Sequence, residues 1–365
     1  MQKIYTITCV IGTRPEVLKM APLIKALQAI ENIQVNTIVT AQHRSLLDQM
    51  LAHFEIEITA DFNIMTENQQ LDKLTANLLE KFSEYFKQYP CDLLIAQGDT
   101  TTTMVSALTA FYHDIPFVHI EAGLRTDDIR IPFPEELNRR ITSLIASIHC
   151  CPTEVSQQNL EKESITENVF VTGNTIIDTL YSFTNKLSPI KNQHKRTILV
   201  TAHRRENFGE PLENICLALK NIIENNPNVE FIFPVHPNPN VKKTVYKHLD
   251  NIDRIKLSSH LDYEQLTTVL MDCHFVLTDS GGLQEEAPAL GKPVLILRDK
   301  TERPEGVACG VAKIVGTQTN NIISHVNELL NNEELYQKMS TTICPYGDGK
   351  SSQRITEIII NYLNN

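Results

Sequence analysis
The chain has 365 residues, 42% of them hydrophobic, and a net charge of −11. That length suits about two domains, each with its own core. There is no basic block and no Lys/Arg stripe interleaved with aromatics, so nucleic acid and anionic membranes make poor partners. The eight cysteines are scattered, and none forms a Cys-x-x-Cys pair. Such thiols suit a reducing cytoplasm better than a disulfide framework.

Lys3 to Ile11 predicts a first strand. The run is too short and too β-rich for a signal peptide and ends in Gly12-Thr-Arg-Pro-Glu16 without a cleavage site. A helix follows over Val17–Ile30, then a strand over Gln34–Thr40 and helices over Ser45–Phe54 and Leu71–Tyr89. Strand Asp92–Ala96, helix Thr101–His113 and strand Phe117–Ile120 continue the alternation. After a polar stretch, Ser182–Arg196, the rhythm restarts. Strands are expected over Thr197–Thr201, Val229–Val235, Phe275–Thr278 and Val294–Leu297. Helices are expected over Leu212–Asn225, Leu261–Met271, Leu283–Leu290 and Ser351–Leu363. Short apolar runs alternating with helices predict an α/β protein with parallel, Rossmann-like sheets. The expected division is an N-terminal domain over 1–172, rejoined by 352–365, and a C-terminal domain over 173–351. Two such domains facing each other would bind ligand in a cleft at the carboxyl ends of their sheets. No apolar run approaches the roughly 20 residues that span a bilayer.

Three carboxylates are candidate acids and bases, each in a strand-end loop or a Pro-rich turn. Asp99 lies in Gln97-Gly-Asp-Thr-Thr101, Glu121 in Glu121-Ala-Gly-Leu-Arg125, and Glu135 in Pro132-Phe-Pro-Glu-Glu136. Charged groups in such positions are poor core material but useful for proton transfer. The second half offers a separate feature, Thr278-Asp-Ser-Gly-Gly-Leu-Gln-Glu-Glu286. A strand ends, Ser280-Gly281-Gly282 turns, and a helix opens whose free N–H groups favour an anion. Glu286, one turn in, is within reach of a ribose diol. The plainer reading is a helix cap by Asp279 or Ser280, with glycines that serve only the turn. The polar loop Arg298–Glu305 after the next strand favours a nucleotide site. Arg14 and Lys19, at the start of the first helix, suit phosphate. His203 ends a strand, where it could serve phosphate or act as a general acid. His236 reads as structural.

Several motifs are missing. No Gly-x-Gly-x-x-Gly follows a strand, which argues against a nicotinamide enzyme. Gly349-Lys-Ser351 ends like a P-loop, but Cys344 stands where the first glycine belongs. His149-Cys-Cys151 lacks partner ligands for zinc.

Taken together, Gly12-Thr-Arg-Pro-Glu16, Gln97-Gly-Asp-Thr-Thr101, Glu121-Ala-Gly-Leu-Arg-Thr126, Phe133-Pro-Glu-Glu136, His203-Arg-Arg-Glu-Asn207, Ser280-Gly-Gly-Leu-Gln-Glu-Glu286, Arg303-Pro-Glu305 and Pro345-Tyr-Gly-Asp-Gly-Lys350 resemble the non-hydrolysing UDP-N-acetylglucosamine 2-epimerases of bacteria, almost end to end. The resemblance implies a GT-B-like fold, a cytoplasmic homodimer, and no metal or cofactor. It also implies interconversion of UDP-GlcNAc and UDP-ManNAc, supplying ManNAc-type sugars for cell-surface polysaccharide. By motif, Asp99, Glu121 and Glu135 become the acid/base groups, and His203 assists UDP departure. Arg14, Lys19, Ser280, Gly281, Gly282, Glu286 and Arg303 hold UDP. Members that bind a second UDP-GlcNAc as activator use a Gln-His pair matched here by Gln42-His43, with Arg205 as a further contact. Ser45 and Asn68 stand where such members carry Gln and Arg, so weakened or absent allosteric activation is expected. Strong activation by substrate in kinetics at low UDP-GlcNAc would contradict this.

Overall fold
A computed structural model describes residues 3–40, 44–64, 69–126, 128–187, 196–259, 261–341 and 344–365. The chain separates into two compact units, residues 1–179 with 346–365, and residues 180–345. The divisions therefore fall at 179/180 and 345/346, where 172/173 and 351/352 were expected. Local bonds explain why the intervening residues group with the first unit. The Asn174 N–H donates to the Tyr346 carbonyl (2.6 Å), and Asp178 accepts from the N–H groups of Ser351 (3.1 Å) and Ser352 (2.7 Å).

In the first unit the strands are β1 (Tyr5–Ile11), β2 (Ile33–Val39), β3 (Ala60–Asp61), β4 (Leu93–Gln97), β5 (Phe117–Ile120), β6 (Ile148–Cys151) and β7 (Val169–Val171). They lie in the order β3-β2-β1-β4-β5-β6-β7, all parallel. In the second unit β8 (Arg196–Thr201), β9 (Val229–Pro234), β10 (Ile255–Ser258), β11 (Phe275–Thr278), β12 (Val294–Ile296) and β13 (Ala312–Ile314) lie in the order β10-β9-β8-β11-β12-β13, again all parallel. Each sheet reverses its winding beside its first strand, between β1 and β4 and between β8 and β11. In open α/β sheets that switch point opens a crevice at the carboxyl ends of the strands. Strands covered on both faces need continuous apolar runs. Leu93-Leu94-Ile95-Ala96 and Phe275-Val276-Leu277 supply them, and all are buried.

The first helix runs Arg14–Gln28, three residues earlier than its apolar spacing suggests. Pro15 is tolerated in a first turn, and the Glu16 carboxylate accepts from the Gly12 N–H at 2.8 Å. Helix Glu135–Ile145 and strands β3, β6, β7, β10 and β13 were not anticipated. The strands are two to four residues long, and in so short a run periodicity carries little signal. Helix Ser351–Asn364 packs on helix Arg14–Gln28 within the first unit, and Tyr5 Oη donates to the Leu363 carbonyl at 2.7 Å. Among the described residues, no helix is long and apolar enough to cross a membrane.

His119 on β5 and His149 on β6 are register partners, both buried. Burial pushes His119 down to about 3 and His149 down to about 4. Both are neutral in the folded protein at pH 5, whereas the unfolded chain protonates them below about 6.5. Stability is thus retained above that value and lost as pH falls towards 4. The slope near pH 5 is on the order of 2 kcal/mol per pH unit. Urea midpoints measured at pH 7 and pH 5 should fall accordingly, and His119→Gln should flatten the dependence. Equal midpoints at the two pH values would refute the argument.

Candidate active site
Glu121 follows β5 directly and has φ +64°, a left-handed conformation uncommon for a side-chain-bearing residue. The Glu121 side chain is 4% exposed, so its charge needs partners. Lys19 Nζ donates to both oxygens, at 2.7 and 2.6 Å. Asn174 Nδ2 donates to Oε1 at 3.1 Å, and the Gln97 amide at the end of β4 donates to Oε2. Two residues on, Gly123 has φ +86°, and a Cβ there would lie 2.1 Å from the Ser156 carbonyl oxygen. This explains the glycine in Glu121-Ala-Gly: no side chain fits.

Asp99 follows the neighbouring strand β4, so it and Glu121 share the carboxyl edge of one sheet. The Gly98 turn that carries Asp99 is pinned by His119, whose Nε2 donates to the Gly98 carbonyl at 2.8 Å. His119 must therefore carry its proton on Nε2. The Asp99 carboxylate pairs with Arg139, whose other end donates to Glu136 at 3.0 Å. Glu136 is fully buried and also accepts from Arg140 Nε (2.8 Å) and from the Thr126 N–H (3.1 Å). Asn138 Nδ2 donates to the Asp99 carbonyl at 2.9 Å. Helix Glu135–Ile145 thus grips the Asp99 loop with two consecutive side chains. Glu135 is the first residue of that helix, not part of a turn. Its Oε2 is buried and accepts no hydrogen bond among the described residues. Arg14, at the first position of its own helix, is half-buried.

In the second unit Asp279 follows β11 and His203 follows β8, so both flank the switch point. Asp279 is completely buried. It does not cap the helix after it. Its Oδ2 accepts from the N–H groups of His203 and Arg204, both at 2.8 Å, and from Asn207 Nδ2 at 2.9 Å. His203 Nδ1 lies 3.4 Å from Oδ1. Burial pushes the His203 imidazole below its ordinary range, outweighing the upward pull of Asp279. The ring stacks on His236 with centroids 5.4 Å apart. His236 in turn accepts from the Asn238 N–H at 3.1 Å, in keeping with a structural role.

Helix Gly281–Ala289 opens behind Ser280, whose N–H is taken by Thr278 Oγ1 at 2.9 Å. Its first N–H groups have no intrahelical acceptor, which makes this end a site for a negative charge. Arg303 lies beside it, and a Cβ on Gly281 would come within 2.6 Å of its guanidinium. Arg303 is held by Glu285 and by Glu302 at 2.6 Å, and Arg298 by Glu302 at 2.7 Å and Glu206 at 2.6 Å. Burial alone would push Glu302 up, but Arg303, Arg298 and Arg204 together hold it well below the usual carboxylate range. Glu286 accepts from the Tyr263 hydroxyl at 2.6 Å.

Lys19, expected among the nucleotide contacts, meets Glu121 in the first unit. Arg205 lies exposed in the short turn Arg205–Asn207. Gln42, His43 and Asn68 lie outside the described residues, and Ser45 belongs to helix Arg44–His53. Sequence reasoning passed over Gln97, Arg139, Asn174, Asn207 and Tyr263. Gln97 and Asn207 stood inside quoted motifs and could have been found there, while the other three carried no local signal.

Residues 25–360 match the family model described as UDP-N-acetylglucosamine 2-epimerase. The UDP-N-acetylglucosamine 2-epimerase of Bacillus subtilis is 46% identical over 365 residues, covering 99% of this chain and 96% of its own. The crystal structure of the Neisseria meningitidis enzyme bound to UDP-GlcNAc superposes with a TM-score of 0.94 at 43% identity, over 98% of this chain and 100% of that one. That of the Methanocaldococcus jannaschii enzyme in complex with UDP-GlcNAc and UDP gives a TM-score of 0.85 at 32% identity, covering 98% and 99%. The model match and the near-complete overlap with these relatives are too extensive for a shared nucleotide motif alone, and the chain belongs to the UDP-N-acetylglucosamine 2-epimerase family.

Proposed function
We propose that the protein interconverts UDP-GlcNAc and UDP-ManNAc. A carboxylate removes the C2 proton, the C1–O bond breaks with its electron pair leaving on UDP, and 2-acetamidoglucal forms by anti elimination. UDP then adds back to C1 while C2 takes a proton on the other face. The C2 proton is weakly acidic, so its removal needs a tuned carboxylate shielded from water. The leaving diphosphate needs positive charge and N–H donors. Asp99, Glu121 and Glu135 are the acid/base groups in this reading, and His203 assists departure of UDP. Ser280, Gly281, Gly282 and Glu286 hold the nucleotide, with Arg14, Lys19 and Arg303 supplying positive charge. The observation that carries the reading is the acidic rim of the first unit. Two carboxylates at adjacent strand ends are anchored by Lys19 and Arg139, and the third, Glu135, keeps a buried oxygen without a hydrogen bond among the described residues.

Two copies of the chain are proposed to associate. Leu137 and Leu144, seven apart on one face of their helix, are both exposed, Leu144 at 81%. A monomer in sedimentation would remove this part of the proposal. Allosteric activation by a second UDP-GlcNAc is proposed to be weak, because Ser45 and Asn68 replace the expected residues.

Incubation with UDP-GlcNAc alone in D2O, followed by NMR, tests the reaction. UDP-ManNAc carrying deuterium at C2 is the expected outcome. Free ManNAc with UDP would indicate a hydrolysing enzyme instead. No change would point to another UDP-HexNAc or to a glycosyltransferase lacking its acceptor.

A further inference from the structure
We propose that Tyr263 is a positioning residue that sets the ribose selectivity of the nucleotide site by holding Glu286. The inference rests on the reading above, in which Glu286 takes the ribose diol. Glu286 sits in the second turn of helix Gly281–Ala289 and is 6% exposed. Its Oε1 lies 3.2 Å from where a Cβ on Gly282 would stand, so the side chain folds back over the first turn. The same turn presents the free N–H groups, so Oε1 lies next to the place where a diphosphate would sit. The other oxygen, Oε2, accepts from the Tyr263 hydroxyl. A glutamate has three side-chain torsions, and one anchored oxygen removes most of their freedom. The second oxygen is then aimed before ligand arrives, and a charge-assisted bond to a sugar hydroxyl loses little entropy on forming.

Tyr263 is well placed for this task because little around it can move. It is the first residue of helix Tyr263–Asp272. A reciprocal cap fixes the backbone there: Asp262 Oδ1 accepts from the Gln265 N–H at 2.8 Å, and Gln265 Oε1 from the Asp262 N–H at 3.1 Å. Thr267 Oγ1 donates to the Tyr263 carbonyl at 2.7 Å. The ring is 2% exposed and meets Phe183 edge to face, with centroids 4.9 Å apart. The ring packs on Phe183, while the buried hydroxyl needs a hydrogen-bond partner and finds it in Glu286. The hydroxyl is the part that speaks to the ligand site.

Calorimetric titration of the full chain with UDP and with 2′,3′-dideoxy-UDP tests the proposal. Wild type should prefer UDP by about tenfold or more, the worth of hydrogen bonds to a charged acceptor. In Tyr263→Phe, which keeps the ring against Phe183, the preference should shrink to roughly threefold or less, mostly through weaker UDP binding. Glu286→Gln should erase most of the preference by itself, and adding Tyr263→Phe to it should change the ratio little further. Thermal unfolding of each variant establishes that it is folded at the titration temperature. A Tyr263→Phe protein that keeps the wild-type ratio, or weakens both ligands equally, overturns the role of Tyr263. A wild type that binds both ligands alike overturns the ribose reading of Glu286 itself, a result distinct from the first.

Discussion

Glu121→Gln should slow C2 proton exchange by about a thousandfold, within the range for removing a general acid or base. UDP affinity should change far less, because the groups proposed to hold the nucleotide lie mostly in the second unit. The substitution is nearly isosteric, but its surroundings are built for a charge. Glu121 receives Lys19, Gln97 and Asn174, all of them donors. A neutral amide brings a further pair of donors into that shell and leaves the buried Lys19 ammonium without its counter-charge. Loss of one partner from a buried pair costs about 3 kcal/mol or more, so rates must be compared below the variant's own melting temperature. Exchange in D2O, followed by NMR under that condition, is the measurement. A rate within tenfold of wild type would remove Glu121 from the mechanism. Unchanged thermal stability would show that the Lys19 pair is not a demanding one.

Asp279→Ala should destabilise the protein by about 4 kcal/mol and reduce turnover sharply. Three donors converge on one buried oxygen of Asp279, two of them main-chain N–H groups of the loop that bears His203. A buried donor left unsatisfied costs about 1–3 kcal/mol, and alanine takes this acceptor from all three, although Asn207 Nδ2 keeps the Leu297 carbonyl at 3.1 Å. The loop after β8 then loses its tie to the end of β11, beyond the reach of the ladder between the two strands. His203 would lose a neighbouring charge that draws its affinity for protons upward, so its imidazole becomes still harder to protonate. A histidine proposed to assist a leaving diphosphate would suffer in both position and charge. Denaturant midpoints give the stability, and the NMR assay gives the turnover. A loss below about 1 kcal/mol would mean that water replaces the carboxylate and that the loop holds itself.

Much of this was legible from the chain because two kinds of signal are local. Apolar runs such as Leu93–Ala96 and Phe275–Thr278 announce strands buried on both faces, and the turn residues after them announce the rim of a sheet. Asp99, Glu121, His203 and Ser280 could be placed at strand ends for that reason. The two prolines before Glu135 suggest a turn but mask a helix start, a position that prolines tolerate and that favours an acidic residue. Asp279 looked like a helix cap because Asp before Ser-Gly-Gly fits one. Only its distance to a loop more than seventy residues earlier shows the other use.

Fold class, parallel sheets and the residues at their carboxyl ends are written locally in the chain, since these follow from periodicity and turn chemistry within a few residues. The chain also carries the ordered motifs that mark the family. What each carboxylate touches is settled only when the chain packs. Lys19 reaches Glu121 across 102 residues, Asn174 across 53, and Arg139 reaches Asp99 across 40. A buried charge must be neutralised by whatever the packed chain brings within hydrogen-bonding distance. That partner is chosen by strand order and helix docking, which no local pattern encodes.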